Sequence, residues 1–350
     1  MKKIVFFTPS LNIGGIERVL LTYAHLLSQK GYDVTYLTCY DSGVFLEEIN
    51  NGVKLHNFKT NKLRNSIFKL SSYLFNNKPD AIIVANAATV IVLIAKLLAF
   101  SSTKIITSHH NYNNVEVKSL IDRKIIWKVY NRCNSVIAIS KGIYSFLKNN
   151  GVKESKIRLI YNPIDFENVI RMSKEPVNID GNYILFVGRV TDVKNLIFLI
   201  KSYYLFHKSN PLCKLVIVGD GPERENLVKL TRELQIESSV EFVGAVANPY
   251  PYIFKSKVIV LSSFSEAFPT ILLEGLTLGK TIVATPTKGA MEILDEGALG
   301  YVTKSFNDVE EFSYTMEYAI NHPINKELLI DAVYKKYNTS YSIEKLEKIL

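Results

Sequence analysis

What this chain of 350 residues has little of narrows its function before any motif is read. It has three cysteines, Cys39, Cys133 and Cys213, odd in number, far apart and with no pair at zinc-ligand spacing. That count argues against a disulfide framework and predicts buried thiols in a reducing compartment. Long uncharged apolar runs are missing as well. The most membrane-like stretch, Ala81 to Phe100, is interrupted by Asn86 and Lys96, and reads as a buried strand followed by a buried helix. The apolar run after Met1 stops at Pro9, which is too short for a signal-peptide core and predicts a first β-strand. No six-residue dinucleotide fingerprint is present, so nicotinamide cofactors are poorly supported. No Asp-x-Asp pair suggests a bound metal, and no short-period repeat or low-complexity tract is found.

Acidic residues are scarce in one half only. Residues 1–165 carry 22 Lys+Arg against 10 Asp+Glu, whereas the remainder carries 20 against 23. Between Glu48 and Asp80 there is no acid, but Lys54, Lys59, Lys62, Arg64, Lys69 and Lys78 are all basic. Such a face attracts an anionic partner unless it is merely solvated. A nucleic acid would want aromatics among those cations, and Phe58, Phe68, Tyr73 and Phe75 partly meet that demand. That reading leaves the acidic second half unexplained, so no nucleic-acid partner is expected.

Hydrophobic residues at 47% and charged residues at 21% describe a folded chain, and its length suits two domains. Short apolar runs alternate with amphipathic stretches throughout. Strands are predicted at Ile4–Thr8, Val34–Cys39, Ala81–Ala85, Lys104–Thr107 and Ser135–Ile139. Helices are predicted at Ile16–Lys30 and after Ser140, a natural N-cap. The pattern breaks near Tyr161-Asn162-Pro163-Ile164-Asp165 and resumes with strands at Tyr183–Val187, Lys214–Val218, Val240–Val243, Val258–Leu261 and Thr281–Ala284. The expected fold class is α/β, with two doubly wound Rossmann-like domains facing each other across a cleft. Expected boundaries are 1–165, a linker over 166–181, a second domain over 182–330, and a helical segment over 331–350 that could return to the first domain.

Several loops at predicted strand ends suit phosphate chemistry. Gly14-Gly15 opens straight into a helix, where backbone N–H groups can approach an anion. Gly188-Arg189, with Lys194 five residues beyond the arginine, places two cations after a strand. There Arg can grip phosphate oxygens bidentately while Lys acts as a point charge. In the segment Ser262 to Gly275, Glu266 lies in a loop and Glu274 lies in a helix starting near Pro269. The N–H groups of Thr270 and Ile271 stand at that helix's start.

Taken together these segments resemble the family-four retaining glycosyltransferases of the GT-B fold. The likeness rests on Gly14-Gly15-Ile16-Glu17-Arg18, His110-Asn111, Ile160 to Asp165, Val187-Gly188-Arg189 with Lys194, and Val218 to Glu223. It continues through Glu266 and Glu274, Gly279 to Ala284, and Gly289 with Glu292. The resemblance implies a nucleotide diphosphate sugar as donor, UDP preferred over GDP, and no further cofactor. It implies that Gly14 and Gly15 face the diphosphate, that Arg189 and Lys194 neutralise it, and that Glu266 contacts the sugar. Glu274 would hold the ribose, Phe268, Pro269, Thr270 and Ile271 would line the sugar-diphosphate site, and the backbone near Val243-Gly244 would read the base. His110 would stand near the anomeric carbon, with His109 the fallback if the alignment slips by one. Ala267 departs from the usual glycine and Gly275 from the usual alanine.

The implied acceptor is a glycan or a polyprenyl-diphosphate-linked glycan in bacterial surface polysaccharide synthesis, and the implied location is cytoplasmic, peripheral on the inner membrane face. A nucleotide-sugar epimerase is the competing enzyme. A sugar phosphorylase would need a large cofactor-binding insert for which the chain has little room. Two basic amphipathic stretches, Lys62–Phe75 and Val117–Arg132, are expected to pack most of their apolar residues on the sheet and to offer an exposed basic edge to an anionic membrane. The first aligns Leu63, Ile67, Leu70 and Leu74 on one face, and the second offers Trp127 as an interfacial aromatic.

Overall fold

The computed structural model describes the chain except Ile13, Ser42, Glu47, Asn50, Asn51, residues 113–119, and the side chains of Val44 and residues 120–124. The chain divides into two compact units, Met1–Pro163 with Tyr337–Leu350, and Ile164–Lys336. In the first unit the strands are β1 (Lys3–Thr8), β2 (Asp33–Thr38), β3 (Val53–Asn57), β4 (Ala81–Ala85), β5 (Lys104–His109), β6 (Ser135–Ala138) and β7 (Ile157–Leu159). They form one parallel sheet in the order β3-β2-β1-β4-β5-β6-β7. Every connection is therefore a crossover; five of the six run through α1 (Gly15–Gln29), α2 (Ile67–Asn77), α3 (Ala88–Leu98), α4 (Leu120–Arg132) and α5 (Lys141–Asn149), while β2 reaches β3 through a short 3-10 turn at Val44–Leu46. Ser140 caps α5, its hydroxyl accepting from the Ile143 N–H at 3.1 Å.

Parallel strands covered on both sides read as continuous apolar runs, and β4 is buried at all five positions. One face of this sheet closes under α2 and α3, where Leu70, Leu74, Val92 and Ala95 meet Val5, Phe7, Ile82 and Val84. The strands that sequence patterning misses, β3 and β7, are the two edges. In β3 only Val53 is buried, so the strand carries too few apolar residues to announce itself.

The second unit opens with α6 (Phe166–Met172), which lies inside the segment 166–181 expected to link the domains. Asp165 is its N-cap, accepting from the Asn168 N–H at 2.9 Å. Strands β8 (Asn182–Val187), β9 (Cys213–Val218), β10 (Val240–Gly244), β11 (Val258–Leu261), β12 (Thr281–Ala284) and β13 (Tyr301–Val302) pair in parallel in the order β10-β9-β8-β11-β12-β13. The helices are α7 (Leu196–Ser209), α8 (Arg224–Glu233), α9 (Tyr250–Lys255), α10 (Thr270–Thr277), α11 (Lys288–Ile293), α12 (Val309–Asn321) and α13 (Lys326–Lys336). The last helix, α14 (Thr339–Glu347), belongs to the first unit. Lys30 Nζ bonds Glu347 at 2.7 Å, Lys104 Nζ bonds the Leu350 carbonyl at 2.8 Å, and Lys345 Nζ bonds the Leu159 carbonyl at 3.2 Å.

Candidate active site

Each sheet reverses its strand order once, between β1 and β4 and between β8 and β11. Loops leaving the carboxyl ends of such strands diverge and open a crevice. In the second unit, Gly188, Arg189 and Lys194 follow β8, and Glu266 follows β11. Lys194 Nζ donates to Glu266 Oε1 at 2.5 Å, with only 20% and 13% of the two side chains exposed.

The pair is held from several directions. Ser263 Oγ donates to the same Glu266 oxygen at 2.7 Å, and Ser262 Oγ donates to the Lys194 carbonyl at 2.7 Å. The Phe264 N–H meets the Val193 carbonyl at 2.9 Å, and Thr285 Oγ1 donates to the Ser263 carbonyl at 2.6 Å. The Gly289 N–H reaches the Glu266 carbonyl at 3.0 Å. A Cβ on Gly289 would lie 2.8 Å from the Glu266 and Ala267 carbonyl oxygens, so glycine permits that approach. Sequence reading assigns no role to Ser262, Ser263 or Thr285. The one available signal is a run of hydroxyls directly after an apolar strand. By contrast Arg189 is exposed, and its guanidinium has no partner among the described residues.

The β8 loop is also fixed from β9. The Gly188 N–H bonds the Val218 carbonyl at 3.0 Å and the Val190 N–H bonds the Asp220 carbonyl at 2.9 Å. Gly219 has φ +139°, and a Cβ there would collide with the Gly188 carbonyl oxygen. Gly219→Ala should therefore displace the Gly188–Arg189 loop and cost about 1–3 kcal/mol, as overpacking does. A thermal melt with a midpoint equal to wild type would contradict this.

Pro269 is not the first residue of α10 but its N-cap, with no side-chain cap recorded there, so the helix starts at Thr270. Phe268 and Pro269 are buried, while Thr270, Ile271 and Glu274 are half-buried. Ala267 lies outside the left-handed region, so it replaces glycine without backbone strain. A Cβ on Gly275 would collide with Ile259 Cδ1, so a β-branched residue on β11 takes the volume alanine would fill. At β10 the register skips Val243, because Phe242 pairs with Ile217 and Gly244 with Val218. The Gly244 carbonyl accepts from the Gly219 N–H at 2.8 Å.

In the first unit Gly14 is the extended N-cap of α1, and the Glu17 carboxylate occupies the space a Cβ on Gly14 would take. Gly15 has open space around it. Arg18 serves packing, paired with Glu48 at 2.5 and 3.2 Å and lying over the Phe45 ring.

The two adjacent histidines part company. His109 is sealed at 3% exposure, stacked on Phe146 and edge-on to Trp127, with Nδ1 3.1 Å from the Tyr130 hydroxyl. His110 Nε2 meets Ser108 Oγ at 2.8 Å, and its N–H reaches Asn86 Oδ1 at 3.2 Å. His110 also lines a small pocket with Ser108, Tyr23 and Asn162. His110 is thus the less enclosed of the two.

Burial pushes the His109 pKa down to about 4. Burial, followed by the neighbouring His109, pushes that of His110 down to about 3. A histidine neutral when folded binds fewer protons than its unfolded form between its folded pKa and about 6.5, so stability falls as pH drops through that window. Between pH 6.5 and 4 the sealed His109 alone accounts for a loss on the order of 3 kcal/mol. Melting curves of His109→Phe should show a shallower decline over that range, and an identical decline would contradict it.

Comparison with known proteins fits this geometry. A model of glycosyl transferases group 1 matches residues 170–336, and one of Glycosyltransferase Family 4 matches residues 13–168. An α-1,4-N-acetyl-D-galactosaminyltransferase of Campylobacter jejuni, named for a diphospho-undecaprenol-linked glycan, is 30% identical over 79% of this chain and 77% of its own. A second enzyme of that organism, an N-acetylgalactosaminyltransferase also named for a diphospho-undecaprenol-linked saccharide, is 28% identical over 89% of this chain and 88% of its own. The solved structure of Anabaena HepE in complex with UDP-glucose shares the fold, with a TM-score of 0.83 at 19% identity and 99% of both chains covered. Two parallel-sheet α/β domains of this kind define the GT-B class of glycosyltransferase. The chain belongs to the family-four glycosyltransferases and is a glycosyltransferase.

Proposed function

We propose that this glycosyltransferase is retaining and moves a hexose or N-acetylhexosamine from a UDP-linked donor, in preference to a GDP-linked one. The proposed acceptor is a glycan or a polyprenyl-diphosphate-linked glycan of bacterial surface polysaccharide, reached from the cytoplasmic side. The observation that carries the reading is the Lys194–Glu266 pair at the β8/β11 switch point, with Arg189, unpartnered among the described residues, on the same β8 loop as Lys194. The acceptor class follows the printed activities of the Campylobacter relatives, and the preference for uridine agrees with the HepE complex.

In this reading Arg189 and Lys194 bind the donor diphosphate, and Glu266 releases Lys194 to it and accepts from a sugar hydroxyl. As the bond from anomeric carbon to phosphate oxygen breaks, negative charge grows on the departing UDP between the two cations. The acceptor hydroxyl attacks from the same face and passes its proton to a departing phosphate oxygen, which preserves anomeric configuration. One guanidinium and one ammonium charge supply the stabilisation, so the mechanism calls on no cofactor. His110 would face the acceptor in this reading, neutral at pH 7 and held by Ser108 and Asn86.

Glu274 would accept from the ribose hydroxyls. Removing a hydrogen bond to a charged group costs about 1.5–3 kcal/mol, so Glu274→Ala should weaken UDP binding roughly 10- to 100-fold with less effect on kcat. Titration calorimetry with UDP checks this, and wild-type affinity in the variant would remove the ribose role. For the function as a whole, thermal shift against UDP, GDP and their sugar conjugates is the test. A uridine sugar should stabilise most, and no shift with either nucleotide would sink the reading.

A further inference from the structure

The basic stretches of the first unit keep Leu70, Leu74 and Trp127 buried, so Trp127 is no interfacial aromatic, and residues 117–119 lie outside the described residues. A smaller group of cations, in the second unit, has no part in the chemistry described above. Strands β11 and β12 begin in register, with Val258 opposite Thr281. The residues just before them, Lys257 and Lys280, therefore stand next to one another at the amino end of the sheet. Lys326 joins them from the start of α13. The Ile324 N–H bonds Thr281 Oγ1 at 2.9 Å, which ties the chain before α13 to the start of β12. Gly279 has φ +67°, and the Lys326 side chain fills the space a Cβ there would need. Three lysines thus meet at the end of the sheet opposite the loops that carry Lys194 and Glu266. None of the three belongs to an ion pair among the described residues.

Lys280 is the enclosed member. Lys257 and Lys326 are exposed, whereas Lys280 is half-buried. Its Nζ donates to the Ser256 carbonyl at 3.0 Å and lies 5.5 Å from the centre of the Phe254 ring. Ser256 is the C-cap of α9, so the contact alone would make Lys280 a helix cap. A capping lysine works best as a solvated cation, but this one is partly dehydrated and has two cations beside it. Burial, then Lys326, then Lys257 push its pKa down to about 8. The remaining nearby cation, Lys255 on α9, is occupied elsewhere, donating to the Val177 carbonyl at 2.8 Å. Roughly a tenth of Lys280 is then free amine at pH 7, against about 0.03% of an ordinary lysine. A neutral amine can keep one N–H on the Ser256 carbonyl and leave its lone pair free.

We propose that Lys280 is a site of covalent acylation by small acyl phosphates, with Lys257 and Lys326 gathering the phosphate group. The Lys280 amine attacks the acyl carbonyl carbon, as a lysine desolvated beside other cations is suited to do. The N–C bond forms, the C–O bond to phosphate breaks, and inorganic phosphate leaves with that electron pair. The extra proton on nitrogen passes to solvent, and nothing is oxidised or reduced. The amide retains one N–H for the Ser256 carbonyl, so the product keeps the hydrogen bond that the side chain makes. It also removes one of three crowded positive charges. Two exposed cations beside the nucleophile favour an anionic acyl donor over a neutral one. The inference needs neither the sugar nor the nucleotide proposed above, so the two readings fail separately.

Incubation of the full chain with acetyl phosphate, followed by peptide mass spectrometry, is the experiment. Lys280 should be acetylated about tenfold or more faster than the exposed Lys201 and Lys229, with a rate half-maximal near pH 8. Lys280→Arg keeps the charge and should lose the fast site. Replacing Lys257 and Lys326 together by Gln should slow acetylation of Lys280 by acetyl phosphate about tenfold or more. The same variant should slow the reaction with p-nitrophenyl acetate, which carries no phosphate, by clearly less. Acetylation of Lys280 no faster than that of Lys201 and Lys229, or a rate unchanged in the double variant, would overturn the proposal. So would equal slowing with both donors, which would leave the two cations acting on the amine alone and gathering no phosphate.

Discussion

Alanine at Lys194 should lower kcat for sugar transfer by about 100- to 1,000-fold, the cost of losing one preorganised donor from a site where charge develops. The structure adds a second consequence. Lys194 is already paired with Glu266, and both side chains are largely enclosed. Removing one partner strands the other, so the single variant should also lose stability. The loss should be smaller than the roughly 3–5 kcal/mol of a fully buried pair, because solvent still reaches both groups. Combining Lys194→Ala with Glu266→Ala should restore much of the stability and none of the activity. A double variant clearly more active than Lys194→Ala alone, or full turnover by Lys194→Ala at saturating donor, would contradict the phosphate-clamp role.

Arg189→Ala should separate catalysis from folding more cleanly. Its guanidinium is exposed and has no partner among the described residues, so the fold loses nothing when it is removed. Transfer should nevertheless fall about 100-fold, with an unchanged melting temperature. Lys at this position should recover only part of the rate, since a point charge cannot reproduce two-point contact with phosphate. Wild-type kcat/KM in Arg189→Ala would remove this residue from the site.

Why Arg189 and Lys194 were legible in the sequence while Ser263 was not is a matter of range. The two cations sit beside their own strand, and strand-then-helix patterning locates them. Ser263 matters because its hydroxyl meets Glu266 and its carbonyl meets Thr285, a residue 22 positions away on the next strand's end. Nothing local marks such a contact. The central strands were readable because burial on both faces leaves an uninterrupted apolar run, as in Ala81–Ala85. The edges β3 and β7 carry no such run. Residues 166–181 looked polar enough for a linker, yet Asp165 caps a helix there whose Phe166 and Val169 are buried.

The histidines and α3 show the same limit from opposite directions. His109 is the last residue of β5 and His110 the first beyond it, and only the aromatic cluster of Trp127, Tyr130 and Phe146 shows that His109 is the sealed one. For α3, hydrophobicity alone predicts burial, and the sheet can cover only one side of a helix. The outer side, with Leu97 and Leu98, is exposed.

The central claim is transfer with retention from a uridine diphosphate sugar. Its most direct test is proton NMR of the product formed from an α-linked UDP-N-acetylhexosamine and a polyprenyl-diphosphate-linked acceptor. The account predicts an α-linked product and stoichiometric UDP, with formation suppressed in Arg189→Ala. A β-linked product, or isomerised donor released with no acceptor present, would contradict it.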